Sequence, residues 1–435
     1  MQKLAFFAFC IFFWSSSQTH AQAPSVEWSR NDGGSLDDSY IDVKKTTDEG
    51  YIAVGQSFSS NNGLTNAGSA DALLAKYDMS GTLLWKKTFG SSGEDLGDAV
   101  ILTADGGFLI AGYKNLGGNN DNAWLIKTDN AGTVQWEKTY GGSDVDRAHG
   151  VVETASGDFI FVGTTSSTDG DVTGPLTSLT DGWVAKVSKT NGALIWNKPI
   201  GELGDYEIFR DIKKINATDY IIAGATNSDN FAVLGSYGMI DAWAVKITDT
   251  GTNANVIFSK AFGNADDDEA HAIEKVSNGF ILTGYTKSNT NGGQDILLTK
   301  MNNSGFKVWS KTIGGAENDI AKSLLITPDG KIIVAGSTFS PSYANYHALE
   351  DLLVIQTDGA GVIEWSKAYG GTKSDNGNAI VQSNGANLVA VGFSASTNGD
   401  LVNANANAGK DDAFIVKLSP CGMIITPQVT DVKCN

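Results

Sequence analysis

Residues 86–136 read KKTFGSSGEDLGDAVILTADGGFLIAGYKNLGGNNDNAWLIKTDNAGTVQW. The stretch holds four short apolar or alternating runs, DAVILT, GFLIAGY, AWLIK and TVQW, separated by clusters of Gly, Asp and Asn. That is the pattern of short antiparallel strands joined by turns. One such stretch makes one four-stranded sheet, which cannot bury both of its faces alone, so copies must pack on one another. From Val26 to about Ile425 the chain is this stretch repeated with changes.

Three columns fix the number of copies. The first is W-x-[KR]-x-x-G, at Trp28, Trp85, Trp136, Trp196, Phe258, Trp309 and Trp365, each with its cation two residues on and its glycine five on. The second is a glycine inside the most apolar strand: Gly55, Gly112, Gly163, Gly224, Gly284, Gly336 and Gly392. The third is D-x-x-x-x-K, beginning at Asp71, Asn122, Asp181, Asp241, Asp295, Asp351 and Asp412, with Gln356 in the lysine place of the sixth copy. Four strands per copy, a period near 50 residues and seven copies predict an all-β, seven-bladed β-propeller of four-stranded antiparallel blades. Val26–Glu27–Trp28 carries the outer-strand column ahead of the first copy, so the amino-terminal strand is expected to complete the last blade, with Met423–Ile425 as the rival.

The first 23 residues read as a secretory leader, with Lys3, the apolar run 4–14 and Ala21-Gln22-Ala23 before a mature start at Pro24. The propeller then spans 24–425, and 426–435 is a tail that could open a further repeat domain. No mature segment is long and apolar enough to span a bilayer as a helix. With 31 Lys plus Arg against 49 Asp plus Glu, the net charge is −18, which argues against a nucleic-acid partner. The expected location is the secreted or cell-surface space, with the periplasm as a further possibility. In such an oxidising space Cys421 and Cys434 are expected to pair.

Links between first and second strands, and between third and fourth, are short and alike. Links between second and third strands run from 10 to 20 residues between the glycine and Asp columns and lie on the opposite face, where binding is expected. The two longest supply the candidate ligand-binding residues: Asp169, Asp171 and Thr173 from one, and Ser394, Asn398, Asp400 and Asn403 from the other. Their Asp, Asn, Ser and Thr side chains suit sugar hydroxyls or a polar protein surface.

An acid column, Asp38, Asp95, Asp146, Asp205, Asp268, Asp319 and Asp375, opens each inner strand and is read as turn-stabilising. Three residues after five of these stand Asp98, His149, His271, Lys322 and Asn378, the candidate channel-lining set. Two histidines two blades apart do not make a metal site, and Asp169-Gly170-Asp171 and the run 266–269 do not match a calcium loop. No catalytic residue, metal or cofactor is assigned, since no nucleophile elbow, zinc motif or phosphate loop stands in its needed context.

The hairpins KYDMSGTLLW and KTDNAGTVQW resemble the tryptophan-docking hairpin of quinoprotein alcohol dehydrogenases and of outer-membrane assembly propellers. More closely, WKKTFGSSGEDLGDAV, DGGFLIAGY and AWLIK together resemble the repeat of secreted seven-bladed propellers of gliding bacteria that use type IX export, over nearly the whole mature chain. The terminal TDVKCN is similar to the start of a gliding-motility adhesin repeat. These resemblances imply a non-catalytic binding or adhesion module with a glycan or surface protein as partner. The alternatives are a polysaccharide-active enzyme using acids at the channel mouth, which would need two carboxylates about 5–10 Å apart, or a quinoprotein-like propeller.

Overall fold

The computed structural model describes residues 22–118, 120–173, 180–201, 206–227, 239–288, 290, 292–401 and 410–419. The leader up to residue 21, Asp205, Asn403, both tail cysteines and Met423–Ile425 lie outside these. Within them stand twenty-eight strands in seven antiparallel four-stranded sheets and no helix. Accordingly, no helix among the described residues is long and apolar enough to cross a membrane. The blades span 38–89, 95–140, 146–200, 207–262, 268–313, 319–369 and 375–419, the last completed by Ser25–Asn31.

Ring closure follows the tryptophan column. Ser25–Asn31 pairs with Asp412–Ser419 as the outer strand of the seventh blade. Its Trp28 then packs on the first blade, 6.1 Å from the Tyr51 ring and against Gly81. Trp85 and Trp136 make the same contact one blade further on, each 6.3 Å from a phenylalanine, Phe108 and Phe159. A Cβ on Gly81 or Gly132 would sit 2.7 or 2.8 Å from the docked indole, and both have φ above +70°. The hairpin therefore needs glycine twice over, for the turn and for the tryptophan.

Between blades the backbone is stitched where each inner strand begins. Asp95 N donates to Ala70 O at 2.8 Å, Asp319 N to Gln294 O at 2.6 Å, and across the closure Asp38 N to Asp411 O at 2.7 Å. Third strands such as Asp71–Tyr77 and Asp181–Val187 are buried along their whole length because a neighbouring blade covers each face. Lys76 and Lys127 of the third column lie in this buried layer and reach carboxylates in the short turns, Lys76 to Asp48 at 2.8 Å and Lys127 to Asp105 at 2.9 Å.

Candidate functional site

The glycine column exists because each inner strand bulges against it. A Cβ at Gly55 would lie 1.9 Å from Ser39 O, and at Gly163 only 1.8 Å from Arg147 O. Opposite each glycine the register slips by one residue, leaving one inner-strand residue unpaired in every blade. The seven unpaired residues are Ile41, Asp98, His149, Arg210, His271, Lys322 and Asn378, and all line the central channel, a cavity of about 740 Å³. Bulges re-aim side chains, and here they aim seven at the axis. Two residues beyond, the chain repeats a buried or half-buried aliphatic, Val43, Val100, Val151, Ile212, Ile273, Leu324 and Ile380. Scaffold positions are uniform, whereas the bulged position changes chemistry from blade to blade.

The five candidates read from sequence thus share one ring. Arg210 and Ile41 complete it and were missed for a single reason each. In the fourth blade the strand opens with Glu207, which pairs with Thr226 as Asp38 pairs with Ser57. Glu207, not Asp205, holds the acid position, and counting three on from it gives Arg210. Ile41 follows Asp38 by the same count but carries no polar group to draw notice.

Around the ring, His149 Nδ1 lies 2.8 Å from Asp98 Oδ2. Arg210 Nε donates to Glu269 Oε1 at 2.7 Å, and His271 Nε2 lies 3.4 Å from the same oxygen. His271 Nδ1 donates to Ala321 O at 2.8 Å, fixing the imidazole. Burial acts to raise the Glu269 carboxyl, but His271 and Arg210 outweigh it and hold it at about 2. Lys322 Nζ donates to Asn376 and Asn378 at 2.7 and 2.8 Å, while Asn378 Nδ2 donates to Tyr40 O at 2.7 Å. This polar layer faces the long-loop side. Toward the short turns the channel is lined by Ile101, Val152, Leu325 and Val381 together with Lys44, Lys213 and Glu274. Among the described residues, no three His, Cys, Asp or Glu are grouped to hold a metal.

The acid column performs local work, as its repetition implied. Asp38, Asp146, Asp319 and Asp375 each accept the amide four residues before, at 2.6–2.8 Å, and the hydroxyl of Ser59, Ser167, Ser340 or Ser396, at 2.7–2.8 Å. Burial raises Asp146, Asp268, Asp319 and Asp375 above the usual carboxylate range. Asp351 goes furthest, to about 6, because it is buried and faces Asp375; the His347 amide and ring oppose the shift. A group raised on folding adds stability below its unfolded value and loses it as pH climbs through the folded one. Asp351→Asn should therefore flatten the stability change between pH 4 and 8, most of which falls below pH 7, and be more stable than the parent at pH 8 by on the order of 2–3 kcal/mol. Asn122, at the same register in the second blade, is a natural precedent. Calorimetric melts of both proteins at the two pH values check it, and a variant less stable at pH 8 would refute it.

Of the loop candidates, Asp169, Asp171, Thr173 and Asn398 are exposed and Asp400 is half-buried. Asp169 Oδ1 accepts the Ser143 amide at 2.8 Å and Asn398 Oδ1 the Thr372 amide at 3.0 Å, so both also brace the preceding loop. Asp400 meets Asn345 of the sixth-blade loop at 3.3 Å. Ser394 closes its strand, is 1% exposed and donates to Asp375, so its hydroxyl is occupied inside the blade. With its counterparts Ser57, Thr165, Thr226, Thr286 and Thr338 it forms a hydroxyl column two residues after the glycine in six blades, Lys114 taking the place in the second.

No family model matches the chain. Regulatory protein FlaEY of Caulobacter vibrioides is 23% identical over 361 residues, 71% of this chain but 37% of that protein. The chain thus spans little more than a third of that relative. Among solved structures, Kuenenia stuttgartiensis hydrazine synthase aligns with a TM-score of 0.50 at 8% identity, over 87% of this chain and 96% of that one. The Neurospora crassa Pan2 WD40 domain gives the same score and identity over 93% and 98%. At such identity the likeness shows the fold alone. Quinohemoprotein alcohol dehydrogenase of Comamonas testosteroni, with a TM-score of 0.46 and 10% identity over 94% and 78%, carries no functional weight.

Proposed function

We propose that this chain is an exported, non-catalytic binding propeller, of the kind used at the surface of gliding bacteria with type IX export, and that it holds a glycan or surface protein on its long-loop face. The supporting observation is how those loops are seated. Leu64, Val172 and Leu401, from the loops of the first, third and seventh blades, are each buried to 5% exposure or less, and Thr65, Asp171 and Thr173 beside the first two stay exposed. Loops held in place before contact lose less freedom on binding. The acid column points the same way, because its carboxylates are engaged with backbone amides and hydroxyls in the blade rather than free for proton transfer.

Replacing residues 402–409 by a short Gly-Ser link, which leaves Leu401 in place, should lower binding to an immobilised glycan array or to the native cell surface by about tenfold while melting is unchanged, since several weak contacts act together. Unaltered binding would exclude this loop. Reducing ends released from the bound polymer would instead favour the enzyme reading.

A further inference from the structure

We infer that the axial channel is a binding site for a small organic acid, whose carboxylate is held by Lys322 at the bulge of the sixth blade. Of the cations lining the channel, Lys44, Arg147, Arg210 and Lys213 each lie against an Asp or Glu. Lys322 stands apart, with no carboxylate within 4.0 Å among the described residues and only the amide oxygens of Asn376 and Asn378 on its ammonium group. An ammonium has three donors. Two are spent on the amides, and the third is left for the channel.

A lysine drawn out of bulk water without an opposite charge is costly to keep ionised. Burial lowers its pKa, with Glu350 only partly offsetting this, and a bound carboxylate would supply the missing charge directly. The Asn pair does not compensate it but holds it still, and Asn378 is itself anchored on Tyr40 O at 2.7 Å. A net charge of −18 makes the surface poor for anions, so this position is a local exception read by contact rather than by long-range steering.

The rest of the cavity selects an organic anion over an inorganic one. About 740 Å³ falls within the range of small-molecule pockets. Ile41 and Leu96, on the wall beyond Asn378, offer apolar surface that a carbon body covers and phosphate leaves wet. The inference stands on the bulge ring and needs nothing from the long loops.

Isothermal titration of the full chain tests it, with D-glucuronate and benzoate as probes, methyl glucoside and benzamide as uncharged counterparts, and inorganic phosphate. At least one acid should bind about tenfold or more tighter than its counterpart and than phosphate, and weaken as salt rises. Lys322→Met should remove that preference. Asn378→Asp sets a carboxylate beside Nζ while retaining the lysine, so it should abolish binding. It also gives up the Asn378 donation to Tyr40 O, so the ring should melt somewhat lower, and a melt that shows it still folded at the titration temperature separates lost binding from lost folding. A uronate tetramer that binds as well as the monomer marks a polymer end as the source, and binding by the monomer alone marks a free acid. No binding of either acid at about 10 mM, equal affinity for the neutral counterparts, or unchanged affinity in both variants overturns the inference.

Discussion

Deleting Ser25–Asn31 should open the ring. Without it Asp412–Ser419 becomes an unpaired edge, and the six residue pairs from Ser25 with Ser419 to Asn31 with Phe414 are lost. The indole of Trp28 leaves Gly81 and Tyr51, and Val26 leaves the cluster around Leu388 and Phe414. Tyr369 also loses the Pro24 carbonyl that its hydroxyl reaches at 2.8 Å if the cut begins there. Half-burying a tryptophan and a valine contributes several kcal/mol, and cross-strand pairs add to it, so the loss should be on the order of 5 kcal/mol or more. An exposed edge carrying the apolar run Ala413–Val416 also invites pairing with other chains. The truncated protein should melt far lower and elute as aggregate, and a peptide covering residues 22–33 should restore a monomer by adding back the strand. Equal melting and elution of both forms would show that another segment seals the ring.

That closure was legible because Trp28, Arg30 and Gly33 repeat a column found six more times. Repetition made the architecture readable where a single copy would have left only four ambiguous apolar runs. The bulge was not legible, since one extra residue in YIDV or RAHGVV merely blurs an alternation that is already short. Its mark was present in another form: a position that varies among Ile, Asp, His, Arg, Lys and Asn while the one two residues beyond stays aliphatic. Reading it required the right origin, and in the fourth blade the gap from Gly201 to the acid is one residue longer than elsewhere, which hid Glu207 and with it Arg210. Ser394 misled for the opposite reason. A serine beside a long polar loop resembles a loop residue until Ser57 and Thr338 are seen at the same place in their strands, each buried.

Gly163→Ala should cost about 3 kcal/mol or more, at or beyond the upper end of ordinary overpacking. The new Cβ would stand 1.8 Å from Arg147 O, a backbone atom that no rotamer change can move aside, with Arg147 C at 2.8 Å and Ala148 Cα at 2.9 Å behind it. Relief demands that the inner strand shift by more than 1 Å, and its neighbours on the other side are the channel and the next blade. The residue displaced first is His149, the bulged one, so its contact with Asp98 at 2.8 Å should break together with the packing. Gly359→Ala is the control: its Cβ would meet only Gly330 O at 3.4 Å, an ordinary contact, so the effect should stay within about 0.5 kcal/mol. Urea melts give the two stabilities, and the imidazole resonances of His149 report whether the bulge has moved. If Gly163→Ala were as mild as Gly359→Ala, the glycine column would have another cause, and the bulges would not depend on it.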